Sequence, residues 1–160
     1  MDDFSALTDA ERHLLQALND SGVRYILVGL SAAVLQGANT GTRDIDIWFE
    51  DTTDPRISAA VHEAGGIWIS GSFGMQPPQI GGYALGDRLN VVVHMHGLGK
   101  FAEEMKHTTI IEVDHIPLRV LRLERIIESK RVTGRKKDLA AIPALEEALA
   151  AIKDAVTPAS

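Results

Sequence analysis

Between Arg24 and Glu50 the chain reads RYILVGLSAAVLQGANTGTRDIDIWFE, and this stretch leaves few ways to fold. Tyr25 to Val28 is almost wholly apolar, as a strand in a sheet interior must be. Gly29 breaks that strand. The alanine-rich run from Ser31 to Leu35 predicts a short helix, closed by Gly37. Asn39 to Thr42 reads as a loop, and Arg43 to Phe49 as a second strand. Side chains alternate across a strand, so Asp44 and Asp46 share one face while Ile45 and Ile47 turn into the core. Two neighbouring carboxylates repel unless a cation or a basic group lies between them. That arrangement suits a hard cation such as Mg²⁺, which takes one or two carboxylates together with substrate phosphate oxygens.

The rest of the chain predicts helices and strands in alternation. Thr8-Asp9-Ala10-Glu11 is a capping box ahead of a helix with Leu14, Leu15 and Leu18 on one stripe. Asp54-Pro55 starts a helix that runs to about Ala64. Ile67 to Ile69 is a short strand. Ser70 to Gly82 reads as a long glycine- and proline-rich loop, Tyr83 to Leu85 as an edge strand, and Arg88 to His94 as a β-rich strand. A short helix is expected over Lys100 to Lys106. Thr108 to Val113 and Ile116 to Val120 form a hairpin turning at Asp114-His115. Leu121 to Val132 is an amphipathic helix ended by Gly134, and Ile142 to Val156 is the last helix. The final residues, TPAS, read as a frayed end.

The sequence has 160 residues, which suits one compact domain over its whole length. It contains no cysteine, so disulfides and thiolate metal sites are excluded. The start, MDDFSALTDAE, is acidic and has no apolar leader core, and no apolar run reaches the roughly 20 residues of a bilayer span. The cytoplasm is the expected compartment, with no membrane partner. The net charge of −6 argues against general attraction to nucleic acid. The basic residues nevertheless crowd into one region, Arg119 to Lys137, where a local basic wall could receive a nucleotide or an RNA end. Trp48, Trp68 and Phe73 are too scattered to form a base-stacking platform.

Gly29-Leu30-Ser31, a spacer and Asp44-Ile45-Asp46 together resemble the signature of the polymerase-β-like nucleotidyltransferase superfamily. Arg88-Leu89-Asn90-Val91-Val92 with Gly97, followed by IPLRVLRLERIIESKRVTGRKKDLAAIPALEEAL, resembles the later part of small bacterial predicted nucleotidyltransferases, including those related to abortive-infection and toxin–antitoxin systems. The likeness covers roughly Val23 to Leu149. It implies an α/β fold: a minimal nucleotidyltransferase core with a small mixed sheet flanked by helices, and further helices at the C-terminal end. It implies metal-dependent transfer of a nucleoside monophosphate from a nucleoside triphosphate to an unknown acceptor, whether small molecule, RNA or protein. Asp44 and Asp46 would hold Mg²⁺ or Mn²⁺. The Gly29, Leu30, Ser31 turn would meet phosphate, and Lys130 and Arg135 would hold the triphosphate, with Asp138 orienting one of them.

Two positions depart from the family pattern. Leu30 stands where a second small residue is expected. Asn90 stands where a third catalytic carboxylate is expected, and an amide is neither a general base nor a strong magnesium ligand. Either another acid substitutes, Asp87 and Glu112 being the candidates in sequence, or the chain is a non-catalytic nucleotide-binding or toxin–antitoxin interaction module. His94 and His96 share the strand parity of Asn90. They read either as proton carriers or soft metal ligands lining the site, or as two polar residues at a strand end. For the acidic pair the plain alternative is an exposed strand end, and for the basic segment a solvated helix face.

Overall fold

The computed structural model describes residues 7–71, 76–82 and 85–156. Thr8 caps the first helix, α1 (Asp9–Ser21), through the expected box. The Glu11 amide donates to Thr8 Oγ1 at 3.1 Å, and the Thr8 amide donates to Glu11 Oε1 at 2.9 Å. The Glu11 carboxylate is buried and also accepts from Arg88 Nε at 2.9 Å, tying α1 to the lead-in of a sheet strand.

The sheet is built from β1 (Tyr25–Val28), β2 (Ile45–Phe49), β5 (Leu89–Val92), β6 (Thr108–Val113) and β7 (Ile116–Leu121). Its order is β5-β2-β1-β7-β6. β1 pairs antiparallel with β2 and parallel with β7, and β2 pairs parallel with β5, so the sheet is mixed. Ile26, Leu27, Ile45, Ile47, Leu118 and Val120 are fully buried in it. Trp48 packs edge-on against Phe101, with ring centroids 5.4 Å apart. The hairpin of β6 and β7 turns at Asp114 and His115, both at positive φ (52° and 66°), as a two-residue turn matching sheet twist requires.

Helix α2 (Gly29–Leu35) follows β1 directly, and α3 (Pro55–Glu63) has the predicted Asp54 cap and first-turn proline. α4 (Phe101–Glu104) runs into a 3₁₀ turn over Met105–His107. α5 (Leu123–Thr133) ends at Gly134 in the left-handed conformation. α6 (Lys136–Val156) closes the described chain. α1 packs on α3, α2 on α5, and α5 on α6. Among the described residues no helix is long and apolar enough to cross a membrane.

Several expectations need correction. β2 begins at Ile45, so Asp44 stands just before the strand. β5 ends at Val92, so His94 lies beyond it. The stretch read as a loop contains β4 (Gln79–Gly81), paired antiparallel with β3 (Ile67–Ile69). Its single buried side chain, Ile80, is too weak a pattern to stand out among glycine and proline. α5 begins at Leu123 because β7 runs on through Leu121. α6 begins six residues earlier than expected, carries Pro143 inside it, and starts on polar residues that show no apolar period. The proline forgoes a bond to the Leu139 carbonyl, on a side of the helix where Leu139 is half exposed. Of the expected strand over Tyr83 to Leu85, residues 83 and 84 lie outside the described residues and Leu85 sits in a turn. Phe73 and the terminal TPAS also lie outside them.

Candidate functional site

Three neighbouring strands, β1, β2 and the edge strand β5, bring Val28, Asp46 and Asn90 into one row, since Val28 pairs with Asp46 and Asp46 with Asn90. Gly29 follows Val28 at a φ of +73°. A Cβ at that position would lie 2.3 Å from Asp46 Oδ2 and 3.2 Å from its Cγ. The Asp46 carboxylate therefore occupies the space a side chain at 29 would need. Glycine is required there twice, for backbone hand and for room.

Asn90 Nδ2 donates to Asp46 Oδ1 at 3.3 Å. Burial pushes the Asp46 carboxyl above its ordinary range; the Asn90 hydrogen bond opposes this, the Asp44 charge adds to it, and the Lys130 charge opposes it. Asp44 itself is exposed. Its negative charge is one of the influences that raise the Asp46 carboxyl.

The facing wall comes from α5 and the start of α6. Lys130 Nζ donates to Asp138 Oδ1 at 3.3 Å, and Arg135 Nε donates to Asp138 Oδ2 at 2.7 Å. The Arg135 amide also donates to Asp138 Oδ2, at 3.3 Å, so the same carboxylate serves the first turn of α6. Asp138 is only 2% exposed. Hydrogen bonds from Arg135 hold its carboxyl below the ordinary range; burial works against this, and Lys130 reinforces it.

Between the walls lies a cleft of about 400 Å³, bordered by Gly29, Asp46, Lys130, Arg135, His94 and His96. Val28, Val92 and Ile126 give it an apolar floor, and Met95, Ser129 and Thr133 complete the lining.

The segment carrying the two histidines is fixed to α5. Gly97 has φ +77°, and a Cβ there would lie 2.5 Å from a Val132 methyl. Glu104 Oε2 accepts from the Gly99 amide at 2.8 Å, while Arg125 Nε and Nη2 donate to the two Glu104 oxygens at 2.8 Å each. The Arg125 hydrogen bonds hold the Glu104 carboxyl below its ordinary range, against the opposing effect of burial. Its stabilising contribution is therefore fully present above the ordinary carboxylate range and is lost as pH falls through the depressed range. Replacing Glu104 with glutamine is expected to cost about 2 kcal/mol at neutral pH and to flatten the acid side of a pH–stability profile measured by urea unfolding. A variant retaining the wild-type acid slope counts against this pair.

The predicted residues fall into two groups. Gly29, Asp46, Lys130 and Arg135 line one cleft, with Asn90 bonded to Asp46. Leu30 is half-buried against the core, and Ser31 is fully buried, its hydroxyl donating to the Val28 carbonyl at 3.4 Å. Neither side chain lines the cleft. Asp87 pairs with Arg43 at 2.9 Å, and Glu112 is on β6, separated from β2 by β1 and β7. Glu112 is thus removed as a substitute for the third acid. His94 and His96 reach the cleft by the course of the chain after β5 and not by strand parity. Glu104 and Thr133 were not singled out from the sequence, and Gly97 entered only through the family likeness; the Gly97-Leu98-Gly99 spacing was the one available sign of a tight turn there.

Among the described residues no group of three or more His, Asp or Glu side chains could hold a metal together. Asp44 and Asp46 supply two carboxylates at most. This donor set fits Mg²⁺ or Mn²⁺ completed by phosphate and water oxygens, and does not fit a closed all-protein site.

No protein-family model and no curated protein matches the sequence. Solved structures do. The crystal structure of ANT(2'')-Ia in complex with adenylyl-2''-tobramycin superposes with a TM-score of 0.58 at 15% identity, over 91% of this chain and 90% of that one. The solution structure of the antibiotic-resistance factor ANT(2'')-Ia gives 0.60 at 16% identity, over 92% and 86%. A nucleotidyltransferase-like protein from Paracoccidioides brasiliensis gives 0.53 at 16% identity, over 82% and 71%. This chain has the nucleotidyltransferase fold: a five-stranded mixed sheet flanked by helices, with helices at the C-terminal end.

Proposed function

We propose that the cleft binds a nucleoside triphosphate with a divalent cation and transfers the nucleoside monophosphate to a hydroxyl acceptor. The observation that carries this reading is the Asp46 carboxylate, seated against Gly29 and facing Lys130 and Arg135 across the cleft. Asp46 and Asp44 would hold Mg²⁺ or Mn²⁺, which when bound neutralises charge on the phosphates during transfer. Lys130 and Arg135 attract the triphosphate, and the Asp138 carboxylate keeps both aimed. Gly29 lets phosphate approach the backbone at the β1–α2 turn. Leu30 adds apolar bulk beside that turn.

Adenylyl-tobramycin in the ANT(2'')-Ia structure makes aminoglycoside hydroxyls one acceptor class to test here. RNA and protein hydroxyls are the others. The direct test incubates the chain with each labelled nucleoside triphosphate, Mg²⁺ or Mn²⁺, and these acceptors. Label transferred in a cation-dependent way supports the reading, and its absence with every combination opposes it.

Asn90 favours a second reading, a nucleotide-binding module without turnover, such as a component of a toxin–antitoxin pair. Its amide donates a hydrogen bond to Asp46 where a carboxylate would add charge and a base. Replacing Asn90 with aspartate separates the two. For a transferase the new base should raise pyrophosphate release about tenfold or more. If wild type and variant both bind nucleotide and both stay silent, the module reading holds.

A further inference from the structure

An acceptor hydroxyl needs somewhere to leave its proton; in the row of Val28, Asp46 and Asn90 the one carboxylate, Asp46, is assigned to the cation, which leaves no free base there. The Asn90 amide has no basic lone pair and is bonded to Asp46. Lys130 and Arg135 are cations, and Asp138 is engaged by both of them. Asp46 faces Gly29 and Asn90. Among the described groups lining the cleft, His94 and His96 alone carry imidazoles, the side chains whose neutral form is a nitrogen base near neutral pH.

Both rings belong to a segment held to α5 through Gly97 against Val132 and the Gly99 amide on Glu104. The rings meet edge to face with centroids 5.2 Å apart. One imidazole therefore stands edge-on against the other at the mouth of the cleft.

Resting on the proposed function, we infer that the His94–His96 pair is the general base of this cleft, taking the place of the carboxylate absent at Asn90. In the step it serves, the acceptor oxygen forms a bond to the α-phosphorus. The bridging bond between the α- and β-phosphates breaks, and pyrophosphate leaves with the electron pair. The hydroxyl proton passes to an imidazole nitrogen and from there to solvent. The charged groups lining the cleft with the pair are Asp46 from β2, Lys130 from α5, Arg135 from the link between α5 and α6, and Asp138 in the first turn of α6.

The test follows pyrophosphate release from the four common nucleoside triphosphates with Mg²⁺, using water and tobramycin as hydroxyl probes. Wild type is compared with His94→Ala/His96→Ala and with the same double variant carrying Asn90→Asp. Nucleotide affinity is measured on each by calorimetry. Both histidines are exposed, so the core is untouched; His94→Gln is the milder second variant. The expected result is unchanged affinity with release lowered about 100-fold or more. Added imidazole and Asn90→Asp should each restore much of the loss, which a merely structural role for the histidines would not allow. Release at the wild-type rate by a double variant that still binds nucleotide overturns the inference and leaves the proposed function standing. A loss that neither imidazole nor Asn90→Asp repairs also overturns it, as does a wild type that binds nucleotide without release. A wild type that binds no nucleotide defeats the proposed function itself, and the inference with it.

Discussion

Alanine at position 29 is expected to lower stability by about 3 kcal/mol and to remove nucleotide binding. Two costs add. A residue with a Cβ loses roughly 1–2 kcal/mol in the left-handed region, where Gly29 sits at φ +73°. The new methyl would also lie 2.3 Å from Asp46 Oδ2, so the carboxylate must move. Displacing a packed group costs a further 1–3 kcal/mol or so. The carboxylate has little room to yield, because Asn90 holds its other oxygen at 3.3 Å. Thermal melting should fall by about 6–12 °C for a chain of this length. Urea unfolding and a nucleotide titration on the same preparation check both halves. A variant as stable as wild type with its nucleotide site intact would show that the close approach of Gly29 to Asp46 matters little.

Asp138→Ala should be of similar size and act on the opposite wall. The carboxylate is 2% exposed and holds two cations and the Arg135 amide just ahead of α6. Removing one partner of a buried ion pair costs about 3–5 kcal/mol. Arg135 is 59% exposed and recovers hydration, so the lower end is expected, about 3 kcal/mol. Lys130 is 15% exposed and loses its carboxylate partner. Nucleotide affinity should fall as well, since both cations lose their aim. The Asp138 carboxyl lies below its ordinary range, so its contribution is present at neutral pH and lost in acid. The difference between wild type and variant in urea unfolding should therefore shrink as pH falls through the carboxylate range. A difference that stays constant with pH points to lost packing instead of lost charge.

Local chemistry made the central elements legible. The apolar run before Gly29, the Asp54-Pro55 cap, the Thr8 box and the Asp114-His115 turn all act within a few residues of themselves, and each was placed where it occurs. Boundaries governed by distant contacts were not. Asp44 alternates correctly with Asp46, yet pairing with β5 begins only at Ile45. The histidine segment continues the sequence alternation of β5, but Gly97 folds it onto Val132, thirty-five positions away. Polar Lys136, Lys137 and Asp138 carry no apolar period, so the start of α6 was invisible although Asp138 anchors it. The cleft unites residues as far apart in sequence as Val28 and Asp138. Its pieces were named from motif likeness, and their meeting depends on the parallel pairing of β1 with β7, which brings α5 and α6 back to the β1–α2 turn.

Calorimetric titration of the nucleoside triphosphates with Mg²⁺ into wild type and Asp46→Asn tests the account most directly. The account predicts binding to wild type and its loss, by tenfold or more, in the variant, for which removal of one charged ligand at a partly buried site is sufficient. Equal binding by both proteins, or binding by neither, contradicts it.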